Sequence, residues 1–158
     1  MPRKKSPASP RSEHYVKLQK NFCFACGKDN PQGMQLKFAV NKDKTGYVCN
    51  FKLDDRYVGP PGHCHGGIIA TILDDAMGKV NRLRDVVALT SQITVNYLKP
   101  VPLHKPLRVE SREINVRGRR HLNAAAILNA KGEVLASSEG VFIAIDPEKM
   151  FKRHMARK

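Results

Sequence analysis

Tryptophan is absent from the 158-residue sequence, aromatic residues make up only 6% of it, and cysteine occurs four times. So few aromatic side chains argue against a site that stacks the bases of a single-stranded nucleic acid. Four irregularly spaced cysteines do not make a disulfide framework in a chain of this length, which predicts a reducing, cytoplasmic compartment. No apolar run approaches the roughly 18 residues of a membrane span, and the basic N-terminus lacks the apolar segment of a secretory signal. Neither membrane insertion nor secretion is therefore expected.

Acidic residues are also scarce: 14 Asp and Glu stand against 28 Lys and Arg, which gives a net charge of +14. Much of the excess lies at the two ends of the chain. Residues 1–20 are predicted to form a basic arm that is disordered or partly helical, and residues 147–158 a basic tail. A solvated, solubilising arm is favoured over a nucleic-acid arm, because a run of charge alone attracts nucleic acid without reading its sequence. Residues 21–146 are predicted to form one domain with a real core.

The pattern of apolar residues predicts strands arranged around one helix. Alternating apolar and polar side chains predict strands over residues 34–40 and 46–53, joined as a hairpin. A helix is predicted over residues 65–81, and everything after it is predicted to be strand. These later strands cover residues 86–98, 107–116, 122–130 and 134–145. The order predicts an α+β fold in which an antiparallel sheet of five to six strands wraps around one long central helix, because nothing else can cover the helix.

The start of the predicted helix is the first candidate site. Residues 62–67 read Gly-His-Cys-His-Gly-Gly and run directly into the helix. Gly66 and Gly67 have no side chain to keep a ligand away, so backbone N–H groups at the positive end of the helix can meet a developing oxyanion. Asp74 or Asp75, further along the helix, can then serve as base or nucleophile.

The helical period separates the two aspartates. At about 100° per residue, Asp74 lies off the apolar face of the helix, and the residues one turn from it are small. These neighbours are Ala70, Thr71 and Gly78. Small residues around a carboxylate leave a groove rather than a packed seam. Asp75 lies at the other edge of the helix, four residues before Lys79, which favours an ordinary ion pair on the helix surface.

Three segments of the sequence, in this order, resemble the hotdog-fold acyl-CoA thioesterases of the phenylacetate-pathway and 4-hydroxybenzoyl-CoA thioesterase superfamily. The first, within residues 22–38, has the pattern Cys-Phe-x-Cys-Gly followed by Asn-Pro-x-Gly. The second is the His-Gly-Gly helix start with an acid nine residues after the histidine, and the third is the strand over residues 90–103. The resemblance extends from about Asn21 to Ile145. It implies a hotdog fold and hydrolysis of a CoA thioester to free acid and CoA.

The resemblance also implies roles for individual residues. Asp74 is the implied catalytic acid, acting as general base or nucleophile, and Gly66 or Gly67 supplies the implied oxyanion-hole N–H. His65 is implied to shape or orient the site, and the hydroxyl of Thr90, sixteen residues after Asp74, to hold the acid or its water. Family members build one site from the glycine end and the acid of different subunits, which implies a homodimer or homotetramer. No cofactor is implied.

One position departs from the family pattern. Several relatives carry an asparagine about six residues before the histidine of the motif, and this sequence has Gly59 there. The group that positions the water is therefore open, and His63 is a candidate substitute that would contact the substrate.

No metal site is predicted from ligand spacing. His63, Cys64 and His65, together with Cys23 and Cys26, offer five candidate zinc ligands. No second Cys-x-x-Cys or His-x₃₋₅-His pair supplies the spacing of a closed structural site.

A basic cluster inside the predicted domain is the candidate site for the coenzyme's phosphates. Arg117, Arg119 and Arg120 flank Gly118 at a predicted strand turn, and Arg112 precedes them. Guanidinium groups make paired hydrogen bonds to phosphate oxygens, so the three arginines of the turn are candidate substrate ligands. A solvated basic turn is the alternative.

Three functions are compatible with parts of the sequence. An acyl-CoA thioesterase explains the paired glycines, Asp74 and the interior arginines together. A non-catalytic hotdog domain that binds acyl-CoA as a regulator would keep the fold and the arginines but has no need of Asp74. A nucleic-acid-associated protein would explain only the basic tails. The sequence does not define the acyl group.

Overall fold

A computed structural model describes residues 20–155 of the chain. The predicted N-terminal arm, residues 1–20, thus lies almost wholly outside the described residues. The central helix, α1, spans Gly66–Val80 and continues as a 3₁₀ turn over Asn81–Arg84. Its buried apolar residues recur every three or four positions and are Ile69, Ile72, Leu73, Ala76, Met77 and Val80. The helix predicted over residues 65–81 is confirmed. No helix within residues 20–155 is long and apolar enough to cross a membrane.

Within residues 20–155, six antiparallel strands form a single sheet that packs against α1. The strands are β1 (Ala39–Val40), β2 (Gly46–Phe51), β3 (Val87–Tyr97), β4 (Leu107–Arg117), β5 (Arg120–Asn129) and β6 (Val134–Ile145). Their order across the sheet is β1-β2-β4-β5-β6-β3. The predicted architecture, a sheet of five to six antiparallel strands around one long helix, is confirmed.

Buried polar contacts, in addition to the apolar core, hold α1 on the sheet. The Asn123 side chain on β5 is fully buried and donates hydrogen bonds to the Met77 carbonyl at 3.0 Å and to Asn81 Oδ1 at 2.9 Å. Around it pack fully buried apolar side chains of the sheet, including Ile127 and Phe142. Because Asn123 satisfies groups at the C-terminal end of α1, the helix cannot slide along the sheet without leaving buried polar atoms unpaired.

Strand β3 lies at an edge of the sheet, and large apolar and aromatic side chains on it are exposed. It pairs with β6 on one side over eleven residues, and no strand of residues 20–155 pairs with its other side. Leu89 is 42% exposed and Tyr97 55% exposed. A long, open edge strand is a template for pairing with another chain.

The predicted strand over residues 34–40 is largely wrong. Only Ala39–Val40 pairs with β2. The backbone before it bonds elsewhere: the Met34 N–H donates to the Phe24 carbonyl at 2.7 Å and the Leu36 N–H to the Ala25 carbonyl at 2.9 Å. Alternation of side chains was the only signal, and it does not distinguish pairing with a strand from pairing with an irregular segment.

The prediction that only strands follow the central helix is also wrong. A second helix, α2, spans Pro147–Met155 in the predicted basic tail. The Asp146 side chain accepts hydrogen bonds from the Glu148 and Lys149 N–H groups, at 3.1 and 3.3 Å. Aspartate as N-cap followed by proline in the first helical position is a standard helix start, and the density of basic residues obscured it.

Candidate active site

Asp74 and Thr90 meet across the boundary between α1 and the edge strand β3. The Thr90 hydroxyl donates a hydrogen bond to Asp74 Oδ1 at 2.8 Å. The carboxylate is half-buried and lies on a half-buried stripe of α1 with the small residues Ala70, Thr71 and Gly78. The acid and the hydroxyl that the family resemblance assigned to it are therefore in direct contact, and the groove predicted from the small residues stays a prediction.

A β-bulge accompanies the contact between Thr90 and Asp74. The register of β3 against β6 shifts between Thr90 and Gln92, so Ser91 is the extra residue. A bulge increases local twist and re-aims side chains, and such irregularities are common beside active sites. Before the bulge, Thr90 pairs with Phe142, whose side chain is buried in the core, so Thr90 lies on the face of the sheet that carries α1.

The surroundings of Asp74 suit a carboxylate that accepts a proton. Burial raises the pKa of Asp74 above its ordinary value, the hydrogen bond from Thr90 opposes that shift, and the negative charge of Asp75 adds to it. A carboxylate of raised pKa is a stronger base than one in water. The sequence could name Asp74 but not this balance, which depends on packing.

The structure distinguishes the two glycines at the N-terminus of α1. His65 Nδ1 accepts the Gly67 N–H at 2.9 Å, which places the proton of neutral His65 on Nε2 and removes the Gly67 N–H from use by a ligand. The Gly66 N–H has no acceptor among residues 20–155. Of the two glycines, Gly66 is therefore the one whose N–H is available to a ligand among the described residues, and His65 is the helix cap.

Tyr97 is a site residue that the sequence analysis missed. Its hydroxyl, at the end of β3, donates to the Gly66 carbonyl at 2.8 Å, and its ring lies against the bare Cα of Gly66. The edge strand β3 thus contacts both candidate groups of the chain, Asp74 through Thr90 and Gly66 through Tyr97. No sequence signal marks Tyr97, because its partner is a backbone carbonyl 31 residues away.

Asp74 and Gly66 of one chain are too far apart to act on the same carbonyl group. They are eight residues apart on α1, which at 1.5 Å per residue separates them by about 12 Å along the helix axis. A base and an oxyanion donor that serve one carbonyl each lie about 3 Å from the reacting atoms. One helix therefore cannot bring both groups to the same carbonyl.

The loop before α1 has no room for a side chain at residue 59, where this sequence has glycine in place of the asparagine of several relatives. A Cβ on Gly59 would lie 2.6 Å from the His65 Cα, so no side chain fits without a backbone shift. His63 donates from Nδ1 to the Pro61 carbonyl at 2.9 Å, which leaves Nε2 available to a ligand. No hydrogen bond between His63 and Asp74 occurs in the described part of the chain. A role for His63 in binding the substrate stays a prediction.

The structure does not bring the arginine turn together with Asp74. Arg117 pairs with Arg120 across the turn at Gly118, and Arg120 precedes His121, which is buried toward α1. Arg117 and Arg120 therefore lie on the sheet face away from α1, since successive strand residues alternate faces. Arg119 lies in the turn itself, where its Nε donates to the Ala144 carbonyl at 3.0 Å.

Asp75 makes the predicted contact with Lys79, but away from the surface. Asp75 Oδ2 lies 3.9 Å from Lys79 Nζ, with only 17% and 8% of the side chains exposed. The N-terminal segment over residues 21–38 covers the pair and brings Cys23 and Cys26 against it. An ordinary surface ion pair was the wrong expectation, because the helical period alone cannot show what an irregular segment covers.

Comparison with known proteins finds a family match over part of the chain. Residues 61–136, which contain the helix start, α1 and β3, match the family model described as the thioesterase superfamily. This stretch is a thioesterase superfamily domain. The chain is 28% identical over 141 residues to the acyl-coenzyme A thioesterase THEM4 of Bos taurus and 30% identical over 121 residues to THEM4 of Rattus norvegicus. These alignments cover 89% and 75% of the chain but only 58% and 52% of the two relatives, so it spans little more than half their length.

Solved structures confirm the hotdog fold of this thioesterase domain. A crystal structure of a thioesterase superfamily protein superposes with a TM-score of 0.73 at 31% identity, over 78% of this chain and 60% of that one. A hypothetical thioesterase of Streptococcus pneumoniae, crystallised with coenzyme A, superposes with a TM-score of 0.64 at 19% identity, over 69% of this chain and 87% of that one. Two further structures of the Streptococcus protein are variants with alanine in place of an aspartate and of a threonine sixteen residues later.

Proposed function

We propose that the protein hydrolyses acyl-CoA thioesters to free acid and CoA. The observation that carries this proposal is the half-buried Asp74 carboxylate, which has a raised pKa, accepts a hydrogen bond from Thr90 and shares its side of α1 with small residues. A domain that only binds acyl-CoA has no need of a base in that position.

Asp74 acts as the general base in the simplest mechanism. Its carboxylate takes a proton from a water molecule whose oxygen attacks the thioester carbonyl carbon. The resulting oxyanion accepts a hydrogen bond from the Gly66 N–H at the positive end of α1. When the intermediate collapses, the C–S bond breaks, and the proton held by Asp74 passes to the departing CoA thiolate. In the alternative, Asp74 attacks the carbonyl itself and water hydrolyses the acyl-aspartate.

The separation of Asp74 from Gly66 requires a site shared between two copies of the chain. Since the two groups lie about 12 Å apart on one helix, the carbonyl at one subunit's Asp74 takes its oxyanion donor from another subunit's helix start. The open edge of β3, which carries Thr90 and Tyr97, is the surface that two copies would join. The assembly is a homodimer, or a homotetramer of two such dimers.

The relatives support the same chemistry. The curated relatives are named acyl-coenzyme A thioesterases, and the Streptococcus structure holds coenzyme A. The spacing of the aspartate and threonine that were replaced in that protein equals the sixteen residues between Asp74 and Thr90. The acyl group is not defined by these comparisons, and the cytoplasmic location stays a prediction from the cysteine content.

The test is a thiol-release assay with acetyl-, palmitoyl- and phenylacetyl-CoA, following free CoA with a chromogenic disulfide. Asp74→Asn keeps the shape of the side chain but removes its basicity, and we expect kcat to fall roughly 10²–10⁴-fold. Asp43→Asn, in the exposed turn between β1 and β2, is the matched control and should leave kcat unchanged. Turnover by Asp74→Asn equal to that of the wild type would sink the assignment. Binding of acyl-CoA without any turnover by the wild type would favour the non-catalytic regulator.

A further inference from the structure

A group of sulfur and oxygen atoms lies on the face of α1 next to the candidate site but outside it. Cys23 and Cys26 from the N-terminal segment meet Asp75 from α1, and one ligand atom of each lies within 4.8 Å of the other two. Cys23 Sγ is 3.8 Å from Asp75 Oδ1. The mechanism proposed above uses none of these three residues.

The backbone turn that carries Cys23 and Cys26 places both sulfurs against α1. The Gly27 N–H donates to the Cys23 carbonyl at 2.8 Å, and a Cβ on Gly27 would lie 2.4 Å from that carbonyl oxygen, so only glycine fits. The Cys23 N–H donates to Asn21 Oδ1 at 3.0 Å. A Cys-x-x-Cys turn closed by glycine therefore exists without help from a disulfide, and all four cysteines are free thiols.

The buried carboxylate in this cluster is short of partners. Asp75 Oδ2 is buried and accepts no hydrogen bond within the described part of the chain. Lys79 is the nearby cation, but its Nζ donates to Cys26 Sγ at 2.7 Å and stays 3.9 Å from Asp75 Oδ2. Lys79 Nζ also lies 5.6 Å from the centre of the Phe38 ring, which helps to hold it there. A buried acceptor without a hydrogen-bond partner calls for an explanation, and a bound ion is one of those that structures commonly provide.

We propose that Cys23, Cys26 and Asp75 bind one Zn²⁺ ion, with water as the fourth ligand. Zinc binds thiolates at about 2.3 Å and carboxylates at about 2.0–2.2 Å in a tetrahedral arrangement, which puts two thiolate sulfurs about 3.8 Å apart. Ligand atoms already within 4.8 Å of one another need only small shifts to reach that geometry. Two soft sulfur ligands favour zinc over magnesium or calcium.

The charge of the cluster does not change when zinc binds. Two thiols lose their protons as two positive charges arrive, and the Asp75 carboxylate and the Lys79 ammonium remain as a pair. Lys79 then donates to a thiolate instead of a thiol, which is the stronger hydrogen bond.

The ligand set also explains why spacing in the sequence predicts no metal site. A search for zinc spacing looks for a second pair of cysteines or histidines, whereas the third ligand here is an aspartate 49 residues after Cys26 on another element. The ion would fasten the irregular segment over residues 21–38 to α1, one residue from Asp74. It contacts no proposed catalytic group, so its role is to hold that segment in place.

The test is metal binding by the full chain, freed of any affinity tag, reduced and stripped with a chelator. Titration with Co²⁺ should give a thiolate-to-cobalt charge-transfer band and visible bands of tetrahedral cobalt that saturate at one equivalent, and one equivalent of Zn²⁺ should bleach them. Cys23→Ser is the decisive variant because Cys23 is exposed and the fold does not depend on it. Cys23→Ser should lose the charge-transfer intensity of one sulfur, and its zinc affinity should fall at least tenfold. The zinc affinity of Asp75→Asn should also fall at least tenfold. Cys64→Ser, in a buried thiol far from Asp75 in the fold, should bind as the wild type does.

Two results would overturn the zinc site. One is the absence of charge-transfer bands while all four thiols of the unfolded protein react with a thiol reagent. The other is cobalt binding that Cys23→Ser leaves unchanged. Neither result depends on turnover, so the metal site and the proposed hydrolase fail or stand separately.

Discussion

The Thr90 hydroxyl on the edge strand β3 donates a hydrogen bond to the Asp74 carboxylate on the central helix α1, at 2.8 Å. This hydrogen bond connects the edge strand β3 with the half-buried carboxylate on which the proposed chemistry depends. It stabilises the charged form of Asp74 against the burial that disfavours that form. The pH at which the base becomes active is therefore set by both effects.

Removing the Thr90 hydroxyl should shift the acid limb of the pH–rate profile. In Thr90→Val the hydrogen bond that lowers the pKa of Asp74 is lost while burial still raises it, so the pKa rises and the acid limb of kcat/KM moves to higher pH. Thr90→Ser keeps a hydroxyl and should move the limb less. Thr94→Val, on the opposite face of β3, is the control. An unmoved limb in Thr90→Val would mean that Asp74 is not the group that titrates.

Proline at residue 66 should remove the oxyanion donor and little else. Gly66 is the first residue of α1, where proline is favoured, and His65 before it is extended at φ −61° and ψ 136°, as a residue preceding proline should be. The lost N–H has no acceptor within residues 20–155. We expect kcat to fall roughly 10²–10³-fold with the melting temperature kept. Gly66→Ala retains the N–H and should stay within a few-fold of wild type, and equal losses in both variants would assign the effect to crowding by Tyr97.

Mixing two inactive variants should restore activity if the site is shared. In a heterodimer of Asp74→Asn and Gly66→Pro chains, one site carries both lesions and the other carries neither. Random pairing gives half heterodimers with one intact site in two, so refolding an equal mixture should recover about a quarter of wild-type activity. The measurement is turnover after co-refolding, against each variant refolded alone. No recovery from mixtures that form dimers by light scattering would place both groups in one subunit.

Asp74→Asn and Asp75→Asn should have opposite effects on the stability of the protein. Because burial raises the pKa of Asp74 in the folded protein, stability associated with its protonated form is present below the unfolded pKa and is lost as pH rises through the folded one. Asparagine carries no charge to bury, so Asp74→Asn should be at least as stable as wild type at pH 7. Asp75→Asn leaves Lys79 buried beside no carboxylate and should lose on the order of 3 kcal/mol in urea unfolding with chelator present. The reverse ranking of the two stabilities would contradict this assignment.

Among the arginines of the turn, Arg119 is the better candidate for the coenzyme's phosphates. Arg117 and Arg120 lie on the sheet face away from α1, whereas Arg119 projects from the turn at the end of the sheet. Arg119→Ala should raise KM for acyl-CoA and reduce its dependence on salt while kcat stays nearly intact. Arg117→Ala and deletion of residues 1–12 are the controls and should do neither. Equal effects from all three would mean that positive charge acts without a specific site.

The features that sequence could predict are those encoded in local period. The apolar repeat of α1 and the alternation in β3–β6 each depend on neighbours a few residues apart, so the sheet and the helix followed from the pattern. Asp74 followed from the small residues that share its stripe, and Thr90 from the family resemblance alone. Asp146 followed by Pro147 is also a local signal for the start of α2, but the prediction for residues 147–158 rested on their charge.

The features that sequence could not predict depend on contacts between distant elements. The choice of Gly66 over Gly67 as donor depends on the direction of the His65 ring, and the contact between Tyr97 and Gly66 involves a backbone carbonyl. The burial of Asp75 depends on an irregular segment whose hydrogen bonds have no period. Such contacts leave no repeat for a pattern to detect.

Because β3 lies at the edge of the sheet, the specific activity of this protein should depend on the protein concentration. The same strand offers its free backbone to a second copy, holds the base through Thr90 and holds the helix start through Tyr97. If two copies join there, dilution does more than separate subunits: it leaves each half-site facing water with its partner group absent. Specific activity should then fall on dilution and recover with substrate, because a ligand that bridges two half-sites also holds the subunits together.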